Sequence, residues 1–349
     1  MSQRAVLVGC NYSGTSNRLN GCINDVYNVK TILTTIYGFH PENIVIMTDD
    51  QPLTSPTYPS KNNILTAYNN AVNQTMAGDV LVLTFSGHGS NLHSQISTDI
   101  ELTGNMDVII PADVLNKGYF DQSCELSGSE LYSVVCQAPV NSEVFCLIDA
   151  CFSGHECQLP YLLQCSDAKN FSLKKVENRR DTTNCAISLS GCSETQTSAD
   201  GWDSTGRPAG ALTASFCEYI AHNYSQNISY ADLLTNVRVK ISQKYGAGCQ
   251  TPQLCLGRME DLGRKFTLSP NGVLRQLSED NRQEVIKFIH NKCVTQWKPE
   301  TKSAAKSGAT TVTTYLNSLS QSINNTRVSR DINVLQQRIW KENPTVYKK

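Results

Sequence analysis

The sequence predicts an α/β fold with a mostly parallel central sheet and helices on both faces. Three observations predict it. Short apolar runs alternate with amphipathic stretches over residues 1–269. The runs are apolar throughout, as expected of strands buried on both faces of a parallel sheet. Two of them end in glycine-containing segments that carry a histidine and a cysteine, at the strand ends where such sheets bind ligands. The chain has 349 residues, 40% hydrophobic and 17% charged. That composition supports a packed core and excludes global disorder.

In order, residues 4–10 (RAVLVGC) form a first strand. Residues 24–37 form a helix, with Val26, Val29, Ile32, Leu33 and Ile36 on one face. Residues 43–48 are the second strand, and 48–60 a proline-rich loop. A helix over 61–76 leads to the third strand at 80–86, and a helix over 128–136 to the fourth at 144–149. The fifth strand is 186–191, preceded by a polar, basic surface loop over 166–184. Helices follow at 211–223 and 230–245, and the last strand falls at 252–256 or 265–268.

No apolar run reaches the roughly 18 residues of a membrane helix. The apolar stretch near the N-terminus is too short for a signal-peptide core. A soluble, cytoplasmic protein is expected. Fourteen cysteines are many for such a chain, but several, including Cys146 and Cys185, sit inside apolar runs and pack as small hydrophobes. No paired C-x-x-C motif marks a structural zinc site, and a secreted disulfide framework belongs to shorter chains. Charge is uneven: residues 270–349 hold thirteen Lys/Arg against six Asp/Glu, a balance of +7. With the whole chain at −1, residues 1–269 carry −8.

The third strand runs into Ser86-Gly87-His88-Gly89 and the fourth into Asp149-Ala150-Cys151. Strand side chains alternate, so Ser86 shares a side with His88, and Asp149 with Cys151. A cysteine acts as thiolate, and a nearby histidine takes or balances its proton. The N–H groups of Gly89 and Cys151 are placed to hold a developing oxyanion. Taken singly, such a histidine is more often structural and such a cysteine more often core. Both at two strand ends point to Cys–His acyl transfer. A cysteine-based phosphatase needs an arginine where Cys157 stands. There is no G-x-S-x-G elbow, Walker A loop or G-x-G-x-x-G. Metal binding by His155 and Cys157 matches no common spacing.

FSGHGS and IDACFSG resemble the histidine and cysteine motifs of clan CD cysteine peptidases of the metacaspase type. VLVGCNY, LNGCINDV, QLPYLLQCS, SLSGCSETQTSAD, GALTASF, SYADLL and QTPQL agree in order, over about residues 4–269. The likeness is greatest to type I metacaspases without their N-terminal prodomain. It implies a caspase–hemoglobinase fold, a dyad of His88 and Cys151, and an acidic S1 pocket for Arg or Lys formed by Cys22, Asp25, Ser86 and Asp149. A carboxylate pair suits a guanidinium or ammonium group; the plainer role for Asp25 alone is a charge near a helix N-terminus. The dyad requires no cofactor, but calcium bound by several aspartates is typical of the resembled family. Here Asp107 fits one such position, whereas Gly128-Ser129 and Gln158 stand where the others are expected. Activity is therefore expected to be calcium-independent or weakly responsive, with Asp99, Glu101, Asp121 and Glu125 as nearby alternative carboxylates. Lys174, Lys175, Arg179 and Arg180 are candidate self-cleavage sites within 169–184, or else a solvated basic loop.

Two domains are expected: the peptidase-like body over 1–269, and a basic, helical extension over 270–349 of unknown role. Helices near 277–297 and 332–339 in that extension suit packing against the acidic body. The chain is expected to act as a monomer on peptides or proteins with a basic P1 residue, without membrane or nucleic-acid partners. The rival function is a catalytically weak or inactive caspase-fold scaffold or regulator.

Overall fold

The computed structural model describes residues 1–92, 106–116, 120–151, 157–191, 200–202, 208–224, 226–246 and 250–270. The expected helices of the extension, with Asp99, Glu101 and His155, lie outside the described residues. The elements in chain order are β1 (Gln3–Gly9), α1 (Cys22–Thr35), β2 (Ile44–Thr48), α2 (Lys61–Asn73) and β3 (Val80–Ser86). Then come β4 (Gly89–Leu92), β5 (Met106–Ile109), β6 (Leu126–Ser127), α3 (Gly128–Cys136) and β7 (Glu143–Asp149). β8 (Tyr161–Cys165), β9 (Phe171–Lys175), β10 (Cys185–Ser190), β11 (Asp200–Trp202) and β12 (Pro208–Gly210) precede α4 (Ala211–Asn223), α5 (Tyr230–Tyr245) and β13 (Gln253–Leu256). All belong to one compact unit.

The main sheet has the order β2-β1-β3-β7-β10-β13-β8-β9. The first five strands are parallel and the last three pair antiparallel. Alternation divides the strand residues between two cores. Leu7, Val82, Phe145, Leu147 and Ile187 pack with α1, α4 and α5. Val8, Leu83, Phe85, Val144 and Ile148 pack with α2 and α3 on the other face. The expected mixed α/β architecture is thus the one found. Capping fixes the helix starts: Ser127 and Ser229 each form a capping box, with Glu130 and Asp232, at α3 and α5.

Two expectations need correction. Residues 171–175, predicted as loop, form the edge strand β9, joined to β8 by a turn in which Asp167 Oδ1 accepts from the N–H groups of Lys169 and Asn170. Ser, Asp and Asn clustered between YLLQC and FSLKK are the turn signal that announces this hairpin. Of the two places for the last strand, 253–256 is occupied, and Lys265 makes only an isolated bridge to Ser229. No helix among the described residues is long and apolar enough to cross a membrane.

Candidate active site

β3 and β7 are neighbours, with Ser86 opposite Asp149. The contact continues past the ladder, where the Gly87 N–H donates to the Asp149 carbonyl at 3.2 Å. His88 and Cys151 each follow this pair by two residues, from backbones about 4.8 Å apart. Both side chains are half-buried. Gly89 closes the gap: a Cβ there would collide with the Cys151 carbonyl oxygen. Gly89 also faces Ile109 across the β4–β5 ladder, one residue after the pair in which Ile110 N–H donates to the His88 carbonyl at 3.0 Å. Bonded and non-bonded pairs alternate in an antiparallel ladder, so the Gly89 N–H turns away from β5.

The carboxylates of Asp25, on α1, and Asp149, at the end of β7, are both buried. Alternation along β7 puts Asp149 on the α4 face of the sheet, the face on which α1 also packs. Ser86 Oγ donates to Asp25 Oδ2 at 2.9 Å. The Gly210 N–H reaches both Asp25 oxygens, at 3.1 and 3.0 Å, and the Thr213 N–H donates to Asp149 Oδ2 at 2.8 Å. Gly210 is the N-cap of α4 and Thr213 its third residue, so the positive end of a helix meets both acids. A Cβ on Gly210 would lie 2.7 Å from Asp25 Oδ2 and strike Asp149 Oδ2. Cys217, one turn further along α4, has its thiol pushed up by burial and then by these two carboxylates. Cys22 opens α1, buried, one turn before Asp25. Its N–H donates to Asn11 Oδ1 at 3.0 Å, a cap supplied from outside the helix, since Gly21 has no side chain to give one. Cys22, Asp25, Ser86 and Asp149 thus sit on elements that converge beside the strand tips, and two carboxylates held this close suit a cationic partner. Sequence reasoning gave no role to Gly210 or Thr213, although GALTASF, which contains both, stood out as a motif.

Asp107 lies on β5, fully buried. β5 pairs with β6 with Val108 opposite Ser127, so the register carries Asp107 toward the start of α3, at Gly128 and Ser129. Gln158, in left-handed backbone with φ 45°, points its amide there, Nε2 donating to Ser129 Oγ at 3.4 Å. Of the alternative acids, Asp121 accepts from its own turn at Ser123, and Glu125 is buried near Lys61. Burial pushes the Glu125 carboxyl up to about 7, with Lys61 opposing.

Among the basic residues, Lys174 and Lys175 lie on β9. Lys175 pairs with Asp181 at 3.2 Å and lies over the Tyr161 ring. Arg179 donates to the Leu159 carbonyl at 3.3 Å, and Arg180 is exposed in the connection to β10.

Residues 3–160 match the family model described as metacaspase, peptidase C14 domain. The chain is 32% identical over 311 residues to Metacaspase-1 of Scheffersomyces stipitis, covering 76% of this chain and 73% of that one. It is 30% identical over 310 residues to Metacaspase-1 of Debaryomyces hansenii, covering 76% and 67%. A crystal structure of a Geobacter sulfurreducens protein superposes with a TM-score of 0.53 at 18% identity, covering 77% of this chain and 99% of that one, and supports the fold. The class is that of caspase-like cysteine peptidases, endopeptidases by reaction. Within it, the chain belongs to the metacaspase family.

Proposed function

We propose that the protein hydrolyses peptide bonds on the carboxyl side of Arg or Lys, with Cys151 as nucleophile and His88 as its proton acceptor. The thiolate attacks the scissile carbonyl, and the N–H groups of Gly89 and Cys151 receive the oxyanion. His88 then gives its proton to the leaving amine, and water releases the acyl group from sulfur. The observation that carries this reading is the buried Asp25–Asp149 pair, held by the start of α4 next to the strand tips that bear His88 and Cys151. The test is cleavage of short fluorogenic peptides ending in Arg, Lys or Asp. Cleavage of the basic peptides alone, reduced at least about a thousandfold in Cys151→Ala, is expected. Equal cleavage by Cys151→Ala would leave the scaffold reading standing.

The same reading holds the reaction to be independent of calcium or only weakly responsive to it. A calcium site wants six to eight oxygens, several of them charged. Ser129 and Gln158 are neutral and joined to each other, and Gly128 has no side-chain oxygen, so these positions supply none of the charge a calcium site favours. For self-processing, Arg179 and Arg180, in the connection to β10 and outside any strand ladder, suit better than Lys174 and Lys175, because a peptidase binds its substrate as an extended segment that strand pairing already occupies at β9. Purified active protein should then nick itself after Arg179 or Arg180, and Cys151→Ala should stay whole; terminal sequencing of the fragments reads the site.

A further inference from the structure

Tyr12 occupies an unusual place. In the antiparallel pair of His88 with Ile110, two backbone bonds are expected. One is present, from Ile110 N–H to the His88 carbonyl at 3.0 Å. The other is interrupted by a phenol: the His88 N–H donates to Tyr12 Oη at 2.8 Å, and Tyr12 Oη donates to the Ile110 carbonyl at 2.5 Å. A hydroxyl thus stands in the ladder where a direct bond would otherwise close. The Tyr12 ring also lies over the His88 imidazole, with centroids 4.7 Å apart and planes at 32°. Gly87 makes room, since a Cβ there would sit 2.7 Å from Tyr12 Oη. Burial pushes the Tyr12 phenol well up, so its proton stays in place to be donated.

This arrangement is held against local preference. Tyr12 has φ 52°, left-handed backbone that a bulky residue adopts only when its surroundings impose it. Asp49 imposes it here, accepting from the N–H groups of Asn11 at 2.9 Å and Ser13 at 3.4 Å. The preceding Asn11 caps the helix that carries Asp25. Two consecutive residues after β1 therefore touch both halves of the site.

We propose that Tyr12 is the positioning residue of His88, its inserted hydroxyl holding the histidine away from β5 and its ring fixing the imidazole plane. The inference rests on His88 being the proton acceptor. Removing the hydroxyl lets the His88 N–H close directly onto Ile110, which preserves the backbone bonding but draws the imidazole toward β5. A misplacement near 1 Å costs on the order of a hundredfold in rate.

The experiment compares Tyr12→Phe, Tyr12→Leu and His88→Ala in the full chain with an Arg-ended fluorogenic peptide, each normalised by titration with an irreversible thiol-directed peptide inhibitor. Normalisation removes any loss of folded protein. Tyr12→Phe should lower kcat about tenfold to a hundredfold with KM unchanged, and Tyr12→Leu, which also loses the ring, should lower kcat further. A Tyr12→Phe enzyme with unaltered kcat, or with only KM raised, overturns the positioning role. Full activity in His88→Ala overturns the underlying reading instead, so the two failures are told apart.

Discussion

The acids on the two faces of the sheet have different settings. On the α4 face, Asp25 and Asp149 are buried yet provided for: two N–H groups from the start of a helix and one hydroxyl reach them. On the α3 face, Asp107 lies along a strand whose register leads to Gly128 and Ser129, and Ser129 is taken up by an amide from Gln158. Burial of charge is sustained by donors aimed at it. In the first setting two buried acids share the start of one helix, whereas in the second a buried acid lies on a strand that leads to neutral residues.

The largest effect is expected in the first region. Asp25→Asn and Asp149→Asn should each lower kcat/KM for an Arg-ended peptide about a hundredfold, corresponding to roughly 3 kcal/mol for a buried charge partner. An uncharged P1 analogue should be much less affected. Equal losses on both peptides would move these acids from recognition to plain structure. A smaller change should appear in the second region. Ser129→Asp combined with Gln158→Asp should create calcium activation of at least about tenfold at millimolar calcium, because charged oxygens then replace an amide–hydroxyl pair. Unaltered activity across a calcium titration of this variant would mean that Asp107 does not share a site with those positions.

The smallest effect concerns Glu125, near the same helix start. Its folded carboxyl is raised from 4.5 to about 7, so the folded state binds more protons than the unfolded state between those values. Its contribution to stability is full below the lower value and is lost as pH rises through the higher one. Glu125→Gln should remove this slope. Relative to the parent, the variant should gain about 2 kcal/mol in urea unfolding on going from pH 5 to pH 8. A parallel pH dependence in the two proteins would refute the assignment.

The sequence makes some of this legible and hides the rest for identifiable reasons. Buried strands and the amphipathic α1 are readable because burial on two faces, or on one helical face, leaves a periodic mark. α3, α4 and α5 begin and end where the pattern predicts. β9 escapes because Phe171, Ser172, Lys174 and Lys175 are exposed at the sheet edge and carry no apolar run. Asp25, Ser86 and Asp149 could be grouped from motif likeness, since acids and hydroxyls announce their chemistry. Gly210 and Thr213 could not, because they act through backbone N–H groups that every residue shares. Tyr12 was hidden for another reason: its hydroxyl enters a ladder formed by residues far along the chain.

The dependence of both acids on Gly210 and Thr213 has a consequence for synthesis on the ribosome. A nascent chain that has emerged only to Cys151 already carries Cys151 and His88, but not the turn whose N–H groups meet Asp25 and Asp149. Those side chains would remain hydrated and unassembled until the start of α4 arrives. On the proposed reading the site is therefore completed late: its thiol and imidazole are translated before the backbone groups that hold its two acids.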